Sequence, residues 1–256
     1  MYKHHQEAID NISRKMEADP EVQALIIAGS IAHGFALPES DVDILIVVTE
    51  EDYEKRKKEN RRLYWEDVGD IYEGGYIDGK YITVDFIRNL TPGGNEPEKF
   101  AFTDVYAAFS RIPGLDGLMK QAAGYPARYR DARMRRLFAR FHEWNYFYEE
   151  SRKKNNLYLE TKAVCNLIHF GGRSILAYNR MLYPFHKWLL RVLESAPEKP
   201  DGIMSLIQTC VETRSPDTVK EYIETVKGFT DWGFQDKDWP KILMSGEELG
   251  CWDADW

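Results

Sequence analysis

Two aspartates interrupt an apolar segment that otherwise has the composition of a buried β-strand. The segment is Ser40-Asp41-Val42-Asp43-Ile44-Leu45-Ile46-Val47-Val48. Side chains two residues apart in a strand point to the same face, so Asp41 and Asp43 share one side of a sheet. Neighbouring carboxylates at the start of a hydrophobic strand repel each other and lose hydration. A divalent cation would relieve both costs, which predicts a metal site that handles phosphate.

Two further features favour this interpretation over a plain turn with a solvent-facing aspartate. Gly29-Ser30 ends an earlier apolar run, Leu25-Ile26-Ile27-Ala28. A third acid, Asp85, stands in the apolar segment Tyr81-Ile82-Thr83-Val84-Asp85-Phe86-Ile87. Glycine lets a backbone approach a bulky anion closely, and the next amides point outward where a helix starts. We therefore expect Gly29 and Ser30 to hold phosphate beside a group of three strand-borne acids.

Gly29-Ser30, ten residues and then Asp41-Val42-Asp43 form a pattern that resembles the signature of the nucleotidyltransferase superfamily. That superfamily includes DNA polymerase beta, the CCA-adding enzymes and the aminoglycoside and lincosamide nucleotidyltransferases. The specific resemblance covers residues 22 to 88. It implies that Gly29 and Ser30 hold the nucleotide's phosphates and that Asp41 and Asp43 bind Mg²⁺. It also implies that Asp85 completes the site.

The resemblance implies a reaction as well. An acceptor hydroxyl attacks the α-phosphorus of ATP or another nucleoside triphosphate, and pyrophosphate leaves in line. Two Mg²⁺ ions are expected to bind the attacking and departing oxygens. Asp85 is the preferred candidate for the base that accepts the hydroxyl proton. Acids of the helical half, as in some antibiotic-modifying relatives, are the alternative: Glu143, Glu149 and Glu160.

Three basic residues are further candidates for contacts with the nucleotide. Many relatives have an arginine where this chain has His33, which could donate a hydrogen bond to phosphate or be a loop histidine without a ligand. Related small-molecule enzymes place basic residues of the helical domain over the triphosphate. By that resemblance, Lys187 and Arg173 are candidates for the same role here.

Composition limits the partners. The chain has 256 residues, 43% of them hydrophobic and 30% charged, as in ordinary soluble proteins. No apolar stretch approaches the roughly 20 residues that span a bilayer. The polar N-terminus and three widely spaced cysteines argue against a signal peptide and a disulfide framework, and favour the cytoplasm. A net charge of −8 argues against a long nucleic acid as partner and suits a cationic acceptor.

Hydrophobic periodicity predicts an α/β part followed by helical segments. This layout is similar to that of antibiotic nucleotidyltransferases, and the resemblance implies an α/β (α+β) nucleotidyltransferase domain with a small mixed sheet, followed by an all-α helical bundle. The first domain is expected over residues 1–100 and the helical substrate-binding domain over 101–256. In the first we expect helices at 5–17 and 50–66, strands at 22–28 and 42–48, and a hairpin of 71–77 and 81–87 turning at Asp78-Gly79-Lys80. A loop is expected at 91–97. The expected helical segments are 101–110, 128–153, 156–181, 185–195, 201–213 and 216–229, and the tryptophan-rich tail is expected to pack onto them.

The functional hypothesis is an Mg²⁺-dependent nucleotidyltransferase, with adenylyl transfer as the preferred reaction. It would modify a hydroxyl of a small molecule, with an aminoglycoside-like cation among the candidates. One alternative is transfer to a protein or RNA acceptor. Another is a non-catalytic, antitoxin-like nucleotide-binding module. The sequence leaves the acceptor, the preferred nucleotide and the oligomeric state open.

Overall fold

Five strands in the first half of the chain form one mixed sheet. The structure, a computed structural model, describes residues 1–244, with the backbone alone at Pro92. The strands are β1 (Val22–Ile27), β2 (Val42–Val48), β3 (Leu63–Asp67), β4 (Tyr76–Ile82) and β5 (Tyr106–Ser110). Their order across the sheet is β3-β4-β2-β1-β5. Only β2 and β4 run parallel to each other, and the other neighbouring pairs are antiparallel.

Six helices connect these strands and cover the sheet. They are α1 (Lys3–Glu17), α2 (Gly29–Ala32), α3 (Glu50–Lys58), α4 (Val84–Gly93), α5 (Glu96–Phe100) and α6 (Leu115–Ala122). Side-chain hydroxyls of Thr49 and Thr83 accept hydrogen bonds from the first turns of α3 and α4, so both helices start directly where the parallel strands end.

The sheet has a hydrophobic core on each face. On one face α1 buries Ile9 and Ile12 against alternate residues of β1 and β2, among them Leu25 and Ile44. On the other face, helices α4 and α6 pack against the intervening strand residues. The strands contribute Ala24, Ile26, Val47 and Ile82, and the helices contribute Ile87, Leu90, Leu115, Met119 and Ala122. The alternation that predicts β2 at 42–48 is thus confirmed, with the same bounds.

Two predicted elements around β3 and β4 are wrong. The charged helix expected over 50–66 ends at Lys58, and the alternating residues that follow form β3. The expected hairpin at 78–80 does not exist, because Asp78-Gly79-Lys80 lies inside β4. The chain turns earlier, between Asp67 and Tyr76, where the Val68 amide donates to the Gly75 carbonyl at 2.9 Å.

Three predicted elements between residues 81 and 110 also need correction. Residues 84–93 form a helix rather than a continuing strand, and α5 begins within the expected loop at 91–97. No helix spans 101–110: the first half of this segment is a turn, and the second half is strand β5, which pairs with β1 at the sheet edge. The chain divides into two units after Gly124, later than the predicted boundary at residue 100, because β5 and α6 complete the sheet and its second core.

The second unit begins at Tyr125 and is helical throughout its described part. Its helices are α7 (Arg130–Lys153), α8 (Leu157–Tyr178), α9 (Leu189–Glu194), α10 (Ile203–Thr213), α11 (Pro216–Gly228) and α12 (Trp239–Met244). Phe138 and Phe141 of α7, Leu167 of α8 and Tyr222 of α11 are almost fully buried. The predicted fold class is therefore confirmed: a mixed-sheet domain followed by a mostly helical region.

The tryptophan-rich tail is described in part. Trp232 is buried and stacks on Phe138 at 4.6 Å between ring centroids, and Trp239 lies 6.5 Å from the Tyr146 ring, so both pack onto α7 as predicted. Trp252 and Trp256 lie outside the described residues. None of the helices described in residues 1–244 has the length and apolar character needed to cross a bilayer.

Candidate active site

The start of β2 brings two acids of adjacent strands side by side. Val42 and Ile44 pack in the α1 core, so Asp43 between them points to the opposite face of the sheet. In the parallel pairing of β2 with β4, Asp43 lies directly opposite Asp78. Asp78 follows Ile77, which also belongs to the α1 core, so both aspartates are on the same face. Residues facing each other across strands about 4.8 Å apart have side chains in reach of one another.

Tyr76 links the third acid of this group to the other two. It precedes Ile77, the partner of Val42, so continuing the register by one residue brings it next to Asp41, two residues before the Asp43–Asp78 pair. The negative charge of Asp41 raises the pKa of the Tyr76 hydroxyl, which also hydrogen-bonds to that carboxylate, and Asp78 and Asp43 act in the same direction. The negative charges of all three carboxylates thus affect the pKa of one tyrosine. Asp41, Asp43 and Asp78 form the acid cluster, at the end of the sheet where β2 and β4 begin.

Gly29 touches the acid cluster from the other side. It follows β1, has φ +60°, and a Cβ placed on it would lie 1.7 Å from Asp43 Oδ2. No other residue type fits there, for lack of space and because of the left-handed backbone. The Ala28 amide donates to the Asp43 carbonyl at 2.9 Å, which fixes the approach. The glycine of the predicted turn therefore lies against Asp43, one of the two predicted metal ligands.

Ser30 contributes an unsatisfied polar group at this turn. Its side chain is 7% exposed, and its Oγ has no hydrogen-bond partner among the described residues. A buried hydroxyl without a partner is costly, and a bound phosphate oxygen would satisfy it. The first amides of α2 also lack intrahelical partners, so the turn offers several donors for an anion.

The predicted strand position of Asp85 is wrong. Asp85 lies in the first turn of α4, its side chain is 58% exposed, and its carboxylate accepts a hydrogen bond from Arg88 at 2.7 Å. In the register of β2 with β4, Ile82 pairs with Val47, so the chain is already four residues past Asp78 when the strand ends. That is about 13 Å along the strand. Asp85 lines a separate cavity of about 640 Å³ together with Leu63, Lys80 and Phe86, among others.

His33 is buried in a packing position. Its ring lies 4.6 Å from the Phe100 ring, between centroids, and its Nδ1 lies 3.5 Å from Asp104. Burial lowers the pKa of His33, and the nearby Asp104 carboxylate only partly offsets this. A neutral, enclosed imidazole is poorly suited to binding phosphate, so we assign His33 to packing behind the turn.

Binding of a magnesium ion by the acid cluster stays a prediction, and the residues present would need a nucleotide to complete the shell of such an ion. In the described part of the chain no group of three or more acidic, histidine or cysteine residues is arranged to hold a metal by itself. Mg²⁺ is commonly bound through one or two carboxylates, with substrate phosphates and water completing its shell. Asp43 and Asp78, with Asp41 beside them, supply the hard oxygen ligands for that arrangement.

Both basic candidates of the second unit and two of its three acidic candidates have local partners there. Arg173 lies over the Tyr183 ring at 4.4 Å, with Nη1 3.3 Å from His169 Nε2. Lys187 Nζ lies 5.2 Å from the centroid of the Trp188 ring. Glu143 and Glu160 are paired with arginines of α7, at 2.6 and 3.2 Å. Roles for Arg173 and Lys187 at the triphosphate, and for Glu143, Glu149 or Glu160 as base, stay predictions.

Sequence reasoning missed Asp78 because Asp-Gly is a strong turn signal. The alternation around it is the better guide. Ile77, Gly79 and Tyr81 fall on one face of β4, while Asp78 and Lys80 fall on the other, which is the period-two pattern of a single strand.

Comparison with known proteins finds a family match over the part of the chain that contains these residues. Residues 9–92 match the family model described as "Nucleotidyltransferase domain". These residues include Gly29, Ser30 and the whole acid cluster. The first part of the chain is thus a nucleotidyltransferase domain with a five-stranded mixed sheet.

A search among curated proteins finds no match. Among solved structures, the chain is similar to a nucleotidyltransferase-like protein from Exiguobacterium sibiricum 255-15. The two share 15% identity, the match covers 93% of this chain and 74% of the other, and the TM-score is 0.46. At that level of similarity we draw no argument from this neighbour.

Proposed function

We propose that this protein is an Mg²⁺-dependent nucleotidyltransferase that moves a nucleotidyl group from ATP or another nucleoside triphosphate to a hydroxyl of a small molecule. The observation that carries the proposal is the contact of Gly29 with Asp43, which lies opposite Asp78 in the next strand. The proposal is supported by this contact, because a turn with backbone and hydroxyl donors and a pair of carboxylates lie within about one strand spacing of each other. The family match to residues 9–92 supports the same reaction class.

Each residue has a defined part in the proposed reaction. Gly29 and Ser30 would hold the β- and γ-phosphates, with the Ser30 hydroxyl donating to a phosphate oxygen. Asp41 and Asp43 would hold Mg²⁺, which when bound neutralises charge on the phosphates. Asp78, the most exposed acid of the cluster, would orient the acceptor and take its proton. We place Asp78 in the role that the sequence suggests for Asp85.

The bond changes balance as in other nucleotidyl transfers. The acceptor oxygen forms a bond to the α-phosphorus while the bond from that phosphorus to the bridging oxygen breaks. Pyrophosphate leaves with the electron pair, and the acceptor's proton passes to the Asp78 carboxylate. The excess of acids, with a net charge of −8, favours a cationic small molecule over a nucleic acid.

The test is incubation of the full-length protein with Mg²⁺, each of the four nucleoside triphosphates and a panel of hydroxylated small molecules, aminoglycosides included. Pyrophosphate release and the mass of the acceptor are measured. We expect an acceptor heavier by one nucleotidyl group, and no product from Asp43→Asn. Labelling of protein or RNA in a lysate instead would contradict the small-molecule acceptor. Nucleotide binding without any pyrophosphate release would contradict catalysis.

A further inference from the structure

An exposed aromatic pair lies beside the acid cluster, on the side away from Gly29. Trp65 of β3 is directly opposite Asp78 of β4 and is 64% exposed. The Tyr76 ring lies nearly parallel to it, at an interplanar angle of 25° with 6.5 Å between centroids, and is also exposed. A single exposed aromatic side chain is ordinary, but a patch of neighbouring exposed apolar side chains bordered by polar groups is a common feature of binding sites.

The two rings share the face of the sheet that carries the acids. Tyr64, next to Trp65, packs in the α1 core, so Trp65 points to the opposite face, where Asp78 also lies. The order across the sheet is therefore Trp65, Asp78, Asp43, with Gly29 beyond. Two strand spacings, about 10 Å, separate the backbones at Trp65 and Asp43.

The geometry of the proposed reaction indicates whether the acceptor or the pyrophosphate lies on the Trp65 side of the acid cluster. In an in-line displacement the attacking and leaving oxygens lie on opposite sides of the α-phosphorus. Gly29 and Ser30 would hold the departing pyrophosphate on the β1 side of Asp43. The attacking hydroxyl must then come from the β4 side, past Asp78, and the body of its molecule would extend over Trp65.

The charges around the aromatic pair select the kind of molecule. Asp41, Asp43 and Asp78 lie on one side of the rings, and Asp67, opposite Tyr76 in the register, lies on another. Among the described residues of β3 and β4, Lys80 is the one cation on this face, two residues past Asp78. An indole face bordered by carboxylates attracts an organic cation through cation–π and ionic interactions.

We propose that Trp65 and Tyr76 form the acceptor platform, on which a hydroxylated organic cation lies with one hydroxyl at Asp78. This inference rests on the proposed function, since the in-line argument assigns the side. It adds Trp65 as a specificity-determining residue that binds the acceptor and leaves the nucleotide untouched.

Calorimetric titration of the full-length protein tests this, with kanamycin as the cationic probe and its fully N-acetylated form as the uncharged control. Titrations are made at low salt in the presence of Mg²⁺ and a non-hydrolysable ATP analogue. We expect Trp65→Ala to weaken kanamycin binding by about tenfold, equivalent to the ~1.4 kcal/mol typical of a cation–π contact. Trp65→Phe should retain most of the affinity, and the acetylated probe should bind much more weakly.

Tyr106→Ala is the matched control. Tyr106 is an exposed aromatic of β5, the strand at the other edge of the sheet, and its replacement should leave kanamycin binding unchanged. The affinity for the ATP analogue should stay within about twofold in every variant, as the platform lies on the acceptor side.

Several results would overturn the platform. They are unchanged kanamycin affinity in Trp65→Ala, equal binding of the acetylated probe, no kanamycin binding at all, or a loss of nucleotide affinity in place of acceptor affinity. The last result would make Trp65 a nucleobase platform. Failure of the proposed function looks different, because the wild-type protein would then release no pyrophosphate, whatever Trp65 does and whether or not it binds the ATP analogue.

Discussion

At the scale of single residues, the site depends on carboxylates that are held close together at the end of the hydrophobic sheet where β2 and β4 begin. Asp43 is half-buried and contacts Gly29, while Asp78 opposite it is exposed. The less hydrated acid suits a permanent metal ligand and the more accessible one suits exchange of a proton with an acceptor. Asp85, in an ion pair with Arg88 on α4, has neither position.

Asp78→Asn and Asp85→Asn should therefore differ sharply. We expect the first to lower kcat by at least about a hundredfold, the usual range for loss of a general base. The second should stay within about twofold of the wild type, because it removes only an exposed ion pair. Rates of pyrophosphate release, with circular dichroism as a check on folding, decide between them. Full activity in Asp78→Asn would return the base to another residue.

Gly29→Ala should damage both the fold and the site. The added methyl group would overlap the Asp43 carboxylate, and the residue would keep a strained backbone at φ +60°. We expect a loss of about 1–3 kcal/mol in the free energy of unfolding and almost no turnover. Urea unfolding and activity are measured on the same preparation. Gly34→Ala has a similar positive φ but open space around it, so it should lose stability and retain most of its activity.

At the scale of elements, the parallel pair of β2 and β4 sets the geometry of the acid cluster. A shift of one residue in this register would turn Asp78 towards the α1 core. Gly79 fixes the packing next to it, since a Cβ there would lie 2.6 Å from Ile44 Cγ1 and 3.2 Å from Tyr64 Cβ. The glycine thus allows β4 to lie close to its neighbours at the position that follows the functional acid.

Gly79→Ala should move β4 and reduce both stability and activity. Overpacking of this kind costs about 1–3 kcal/mol in the free energy of unfolding. Gly117→Ala is the matched control, because Gly117 lies in α6 with open space for an added methyl group and should gain up to about 1 kcal/mol. Urea midpoints of the two variants against wild type provide the measurement. Equal midpoints would contradict the packing argument.

At the scale of the whole molecule, buried histidines link stability to pH in both units. Burial lowers the pKa of His5 and His33 in the first unit, and of His142 and His169 in the second. For His169 the pKa falls to about 3, through burial first and then the neighbouring Arg173 and His186. Each of these rings is neutral in the folded protein at pH values where the unfolded chain binds a proton.

Stability should therefore fall as the pH drops below about 6.5, the pKa of histidine in an unfolded chain. Below that pH the unfolded state binds more protons than the folded one, at a cost of up to about 1.4 kcal/mol per pH unit for each histidine. Urea unfolding at pH 7.5 and 5.5 measures this, and His169→Gln should reduce the difference. Midpoints between pH 7.5 and 8.5 should change little by comparison. Equal stability at pH 5.5 and 7.5 would contradict the assignment.

Local patterns were reliable where burial and periodicity agreed. Strand β2 has its predicted bounds, α1 begins two residues before the predicted start and ends at the predicted residue, and the long helices α7 and α8 lie within the predicted segments. They failed where short-range signals competed with tertiary pairing. Asp78-Gly79 favours a turn on its own, and residues 101–110 show helical spacing, yet pairing with β2 and β1 makes both segments strands.

The sequence by itself determined the Asp41–Asp43 pair, the glycine-serine turn and the two-part organisation, because these follow from spacing along one continuous segment. Only the tertiary structure decided that Asp78 rather than Asp85 lies opposite Asp43, and that Trp65 stands beside it. Which acids meet across two strands depends on register, and register is fixed by the packing of both sheet faces against α1, α4 and α6. That packing involves residues far apart in the chain, so no local pattern contains it.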